Sequence, residues 1–167
     1  LHRFFEDSLG GMLPWTEPWV RKLLGEIPKK LGWNSFRFSI GPVPDRWLDI
    51  CDEAGILIQN EFPIWGYRPW WNKQEVKKQV NGWVVDNCNH PSIVIWDICN
   101  ETNSEELAEM LPEVRKTDIS GRPWENAYHL PDDENDPVND HHYFMYYNDT
   151  MYFKNAPHHI WKMENFE

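Results

Sequence analysis

Apolar residues recur along this chain with two alternating periods. Over 19–32, WVRKLLGEIPKKLG, the positions Val20, Leu23, Leu24, Ile27 and Leu31 fall at helical spacing, with Pro28 placed to kink the helix and Gly32 to stop it. The aromatic-rich run WNSFRFSI (33–40) reads as a short strand. PDRWLDICDEAG (44–55) returns to the helical period, with Asp45 as the expected N-cap, Trp47, Leu48 and Cys51 on one face and Gly55 past the end. ILIQNEFP (56–63) is the next strand. Asn72 with Glu75 three residues later is a capping-box signature for a helix over 73–88, on which Val76, Val80, Trp83 and Val84 make a buried stripe. SIVIWDIC (92–99) is apolar almost throughout, which suits a parallel strand covered on both faces. Thr102, Asn103 or Ser104 can cap the helix that follows, and Glu105 and Glu106 sit in its positive first turn.

Strand and helix alternating with short links is the pattern of right-handed crossover units in a parallel sheet. Two architectures satisfy it, the doubly wound sheet and the eight-stranded barrel. No glycine-rich phosphate loop follows any strand, and polar residues gather where the strands end: Arg37 and Ser39, Asn60 and Glu61, Asn100 and Glu101. The reading is therefore an α/β fold of the (β/α)8 TIM barrel type, with its chemistry at the rim where the strands terminate.

Length and charge narrow the partners. The 167 residues contain no linker-like stretch and read as one domain, 1–167. Sixteen basic against 27 acidic residues give a net charge of −11, which repels phosphate backbones and anionic membranes, so neither nucleic acid nor a membrane is expected as partner. The opening residues LHRFFEDS lack the basic start and apolar stretch of a secretory leader, and the compartment stays open. Cys51, Cys88 and Cys99 form no CxxC pair and read as small buried hydrophobes. Eleven tryptophans are unusual, and WGYRPWW (65–71) clusters Trp65, Trp70 and Trp71 in a segment whose Gly and Pro argue for a loop. Such a loop either forms a binding surface or packs as a hydrophobic lid.

Two stretches, GWNSFRFSIGPVPDRWLDICDEAGILIQNEFP and NHPSIVIWDICNE, resemble the barrel domain of glycoside hydrolase family 2, the family of β-galactosidases, β-glucuronidases and β-mannosidases. The first is similar to the family's Asn-x-x-Arg strand with the helix and strand after it, the second to its acid/base signature. The resemblance implies a retaining exo-β-glycosidase with a carbohydrate substrate and no cofactor. It makes Glu101 the general acid/base, Asn100 the partner of the sugar 2-hydroxyl and Arg37 the cation that keeps the nucleophile carboxylate ionised. His2 matches a family histidine at the end of the first barrel strand, and NDHHYFMYY (139–147) resembles the sixth strand with His142 and Tyr146 facing the sugar; if the tryptophan loop is a binding surface, Trp65 is its candidate substrate-binding residue.

Departures from the family pattern also carry information. Metal-dependent galactosidases place a histidine and a Glu-x-His pair where this chain has Ile40 and PIWG (63–66), so no metal is expected. The pairs His141-His142 and His158-His159 lack metal-binding spacing, and DDENDPVND (132–140) reads as a solvated acidic loop. The nucleophile of the family lies on the seventh strand, and Glu164 and Glu167 follow no apolar strand. A barrel takes about 250 residues, so about strands 2 to 6 are expected here, packing against the remainder of a parent chain. A family 5-type endo-acting glycanase, a non-catalytic sugar-binding module and a structural α/β domain are the alternatives.

Overall fold

Five short parallel strands carry the structure, a computed structural model that describes residues 2–4, 16–39, 42–127, 133–134, 136, 144–147 and 150–153. Strands β1 (His2–Phe4), β2 (Ser35–Phe38), β3 (Leu57–Glu61), β4 (Ile93–Asp97) and β5 (Trp124–Glu125) lie side by side in sequence order, each neighbouring pair parallel. Parallel neighbours require a crossover. A helical stretch made of α1 (Glu17–Arg21), a π turn (Lys22–Glu26) and α2 (Ile27–Leu31) precedes β2; α3 (Asp45–Ala54), α4 (Lys73–Asn87) and α5 (Glu105–Val114) supply the next three crossovers. This is part of a (β/α)8 barrel wall. Among the described residues no helix is long and apolar enough to cross a membrane.

Local chemistry explains the helix boundaries. Pro28 lacks an N–H and its ring crowds the carbonyl of Leu24, and the chain accommodates it with a π turn at Lys22–Glu26. The wider turn rotates the face that follows, so Val20, Leu24 and Pro28 are buried while Leu31, expected on the same stripe, is 57% exposed. Gly32 and Gly55 end their helices in the left-handed region, at φ 72° and 67°. Asp45 is the first residue of α3 and not its cap; Pro44 holds the cap position, and Asp45 contributes only its charge to the first turn. Asn72 Oδ1 accepts from the amides of Gln74 (3.0 Å) and Glu75 (3.1 Å), as its signature implies. Of the three candidates before α5, Ser104 caps it, accepting from Leu107 N at 3.3 Å.

Strand alternation sorts the side chains into two faces. Phe36, Phe38, Ile58, Trp96 and Trp124 pack outward on Trp47, Leu48, Val80, Trp83 and Leu111 of the crossover helices. Trp83 meets Trp96 edge-on at 4.8 Å, Trp96 stacks on Trp124 at 5.9 Å, and Trp96 Nε1 donates to Asp118 Oδ2 at 3.0 Å. The opposite face carries Arg37, Gln59, Glu61, Asp97 and Glu125. A bulge in β4 makes this sorting possible. Ile58 pairs with Ile93 but Gln59 pairs with Ile95, so Val94 is the extra residue, and Trp96 aligns with Asn60 while Asp97 aligns with Glu61. Val94 and Ile95 are half-buried, so this strand is not covered on both faces along its whole length.

The Asn-His-Pro-Ser lead-in pins the start of β4. At the end of α3, Asp52 takes His90 Nδ1 at 2.7 Å and the Ser92 amide at 2.8 Å, while Arg122 donates to the carbonyls of Cys88 and His90 at 3.0 and 3.3 Å. Cys51 and Cys99 are buried, Cys88 is half-buried and all three are free thiols; burial pushes the Cys51 thiol up to about 12, which makes it unreactive. Among the described residues of the acidic loop, 133, 134 and 136, one departs from the expected solvated state. Asp136 is buried, receives Arg115 through two bonds of 2.9 and 2.5 Å and accepts from the Trp124 amide at 2.8 Å, so it holds β5 in place.

The strand expected within 139–147 is present as β6 (Phe144–Tyr147), but it pairs antiparallel with β7 (Thr150–Phe153) in a two-stranded sheet of its own. The two strands are separated by residues 148 and 149 alone, a link short enough for a hairpin and far too short for the crossover a parallel neighbour needs.

Replacing Asp52 by Ala removes the acceptor of both His90 and the Ser92 amide. The expected loss is about 1–3 kcal/mol, against about 1 kcal/mol for the cap substitution Asn72→Ala. Urea unfolding of the two variants beside wild type checks the order; equal midpoints for wild type and Asp52→Ala would remove the clamp from the account.

Candidate active site

The polar face of the wall converges on Arg37. Its Nε lies 2.9 Å from Glu61 Oε2 and 3.0 Å from Asp97 Oδ2, its Nη2 lies 2.7 Å from the same Glu61 oxygen, and Nη2 reaches Asn100 Oδ1 at 3.4 Å. Ser39 Oγ donates to Glu61 Oε1 at 3.0 Å, and Gln59 Nε2 donates to Asp97 Oδ2 at 2.8 Å. Four adjacent strand ends thus feed one cluster. Glu61 and Asp97 are 0% exposed and Glu125 3%, so three carboxyl groups share a dry space with one guanidinium.

One cation cannot balance three carboxylates in a low dielectric, and the site retains protons instead. Burial, reinforced by the nearby Asp97, pushes Glu61 up to about 8 against the opposing pull of Arg37 and Ser39. Asp97 is held well above the ordinary carboxylate range, first by burial and then by the adjacent Glu125, with which it shares a hydrogen bond. A bond between two carboxyl groups needs a proton on one of them.

Above this cluster the backbone turns sharply. Glu101 is half-buried and adopts φ 44°, in the left-handed region that non-glycine residues avoid. Contacts on both sides hold it there. Asn100 N donates to Ile64 O at 2.8 Å, Asn100 bridges to Trp65, Thr102 Oγ1 donates to Asn100 O at 2.6 Å, and the Gly66 amide donates to Thr102 Oγ1 at 2.8 Å. The strand carrying Asn100 and Glu101 is therefore fastened to the tryptophan loop. Strain of this kind costs about 1–3 kcal/mol and is found where a side chain must be aimed.

Of the residues singled out from sequence, Arg37, Asn100, Glu101 and Trp65 come together at the ends of β2 and β4 and the loop after β3. Arg37 engages Glu61 and Asp97 as its carboxylate partners. Asn60 is buried in register with Phe38 and Trp96, on the side away from the cluster. His2 lies opposite Phe36 at the start of β1, and Tyr146 lies in the separate hairpin. His142, Ile40, the two histidine pairs, Glu164 and Glu167 fall outside the described residues. Trp65, Trp70 and Trp71 are 60%, 79% and 38% exposed, which makes the loop a surface and not a packed lid.

Sequence reasoning passed over Asp97, Gln59 and Glu125. Asp97 had a signal, since an acid inside an otherwise apolar strand must find a buried partner. Glu125 had none, because a two-residue strand shows no periodicity. Among the described residues, Asp49, Asp52 and His90 bring potential metal-ligand atoms within 4.8 Å of one another. They lie at the opposite end of the strands, where Asp52 is already engaged by His90 and Ser92.

Two outcomes are expected. Glu61 keeps its proton in the folded chain from its ordinary value of 4.5 up to about 8, whereas the unfolded chain releases it near 4.5. The stabilising contribution is complete below 4.5 and fades as pH rises through about 8. Thermal unfolding across that window should show declining stability, with a shallower slope for Glu61→Gln; an unchanged slope would assign the dependence to other groups. Glu101→Gly should relieve the positive φ and raise stability by about 1 kcal/mol, while Glu101→Gln should not; denaturant midpoints distinguish them.

Comparison with known proteins identifies the family and agrees with the fold. Residues 22–165 match the family profile described as glycosyl hydrolases family 2, TIM barrel domain. A putative β-glucuronidase of Formosa agariphila is 34% identical over 109 residues, covering 58% of this chain and 10% of that protein. A β-galactosidase of Thermoanaerobacter pseudethanolicus is 32% identical over 132 residues, covering 75% of this chain and 17% of that one. The chain thus spans between a tenth and a sixth of the length of these relatives. The structure of a family 2 β-galacturonidase from Eisenbergiella tayi bound to galacturonate superposes with a TM-score of 0.51 at 32% identity, over 64% of this chain and 20% of that one. A Bifidobacterium dentium β-glucuronidase complexed with coumarin-3-O-glucuronide shares the fold at 0.59 and 23% identity, over 67% and 20%. The ordered strands, the polar ends of β2, β3 and β4 and the matched profile place this chain in glycosyl hydrolase family 2, within its TIM barrel domain.

Proposed function

We propose that this chain supplies part of the active site of a retaining exo-β-glycosidase, with Glu101 as general acid/base. The observation that carries the reading is the strained Glu101, aimed from the end of β4 beside Asn100 and held by contacts on both sides. A half-buried carboxyl group at a rim can protonate a departing glycosidic oxygen and later take a proton from water, as double displacement requires. In this reading Asn100, contacted by Arg37 Nη2 at 3.4 Å, is the partner of a sugar hydroxyl. Trp65 offers an uncovered aromatic surface beside it.

The second carboxylate of a retaining pair, roughly 5–5.5 Å from the first, comes in this reading from outside the described residues. Glu61 and Asp97 are poor candidates, because both are 0% exposed and committed to Arg37, Ser39 and Gln59. Leu57 is 41% exposed and Ile95 half-buried on the inner side of the wall, which supports the packing of further barrel strands of a parent chain against it. The named relatives favour a β-glucuronide or β-galactoside as substrate.

The test is hydrolysis of a panel of aryl β-glycosides by the longest chain that carries this sequence. Glu101→Ala should lower turnover about 10²–10⁴-fold, and azide should restore it with release of a β-glycosyl azide. Turnover of the variant equal to wild type would assign Glu101 a structural role and sink the proposal.

A further inference from the structure

We infer that the recess between the loop after β3 and the first turns of α4 is a second saccharide subsite, taking a neutral pyranose on the leaving-group side of the substrate. This rests on the glycosidase reading above. The recess has a volume of about 430 Å³, within the range of small-ligand sites, and its walls include Phe62, Ile64, Trp70, Trp71, Glu75 and Gln79. A pyranose has a C–H face and a hydroxyl edge. Trp70 and Trp71 present aromatic surface for the first, on a part of the protein where large apolar groups gain nothing from water. For the second, Glu75 and Gln79 stand one helical turn apart on the same face of α4, with Gln79 Nε2 donating to Glu75 Oε1 at 3.3 Å, and between them they offer acceptors and a donor.

Position links the recess to Glu101. Phe62 follows Glu61 directly in the chain, and the carbonyl of Ile64 receives the Asn100 amide at 2.8 Å, so one three-residue segment walls both the recess and the acid/base strand. That segment is firmly seated, with Phe62 against Trp83 at 5.4 Å. The far wall is braced as well, by Trp71 against Tyr67 at 5.4 Å and the Trp71 amide on Arg68 O at 3.0 Å. The loop after β3 and the first turns of α4 lie at the same end of the wall from which Glu101 follows β4, and in this reading a saccharide extends from the cleaved bond along that face. The carboxylate of Glu75 in the lining disfavours an anionic ring, which sets the preference for a neutral one.

The experiment compares kcat/KM for an aryl β-monoglycoside with that for a β-linked oligosaccharide of the same terminal sugar, in wild type, Trp70→Ala and Gln79→Ala. The expected result is that the oligosaccharide-to-aryl ratio falls about tenfold in Trp70→Ala and severalfold in Gln79→Ala, through KM. An unchanged ratio in both variants overturns the subsite, whether the rates themselves fall together or stay as they are. Should wild type cleave no glycoside, the glycosidase reading fails by itself and tryptophan fluorescence decides the subsite. Saturable quenching by the oligosaccharide that Trp70→Ala and Gln79→Ala both weaken supports it, and no saturable change in wild type overturns it.

Discussion

The contact of Arg37 with Glu61 and Asp97 governs the rest of the site. A guanidinium that is 6% exposed must be neutralised, and a single strand end cannot do it; the carboxyl groups come from the neighbouring strands. In return the arginine ties the ends of β2, β3 and β4 into one rigid patch and reaches Asn100. The cluster is polar where a barrel wall would ordinarily be filled with branched apolar side chains. Such a departure from good packing is common where a protein has to hold charges in fixed directions.

Rigidity below is matched by restraint above. Glu101 bends through a conformation that an isolated peptide would leave, and it stays because Asn100, Thr102, Ile64 and Gly66 are hydrogen-bonded around it. The backbone that carries the acid/base candidate is thus held both by a main-chain bond to Ile64 and by the Thr102 hydroxyl. At the other end of β4, Asp52 and Arg122 fix where the strand begins. A strand anchored at both ends transmits little slack to the carboxyl group that follows it.

Much of this architecture was legible in the sequence because it rests on short-range rules. The period change from helix to strand, the Asn72 cap and the polar terminations of β2, β3 and β4 are all local patterns, and they led to the barrel and to Arg37, Asn100 and Glu101. What escaped was set by tertiary context. Leu31 lost its place on the buried stripe because a π turn rotated the helix, Asp136 gained burial from Arg115, and Glu125 entered the cluster from a strand too short to have a pattern. β6 was recognisable as a strand, yet its partner was decided by the short link to β7.

The extra residue in β4 sets a parity. Side chains alternate along a strand, so every position after Val94 owes its orientation to an odd count at that point. Were Val94 instead paired with Gln59 in a regular ladder, Trp96 would fall opposite Glu61 and turn toward Arg37 while Asp97 turned toward the helices, exchanging a hydrophobic anchor for a buried acid without changing any residue. Pairing register here is therefore as constrained as residue identity. Two chains with the same letters at these positions, one bulged at Val94 and one paired regularly, would present opposite chemistries to the barrel interior.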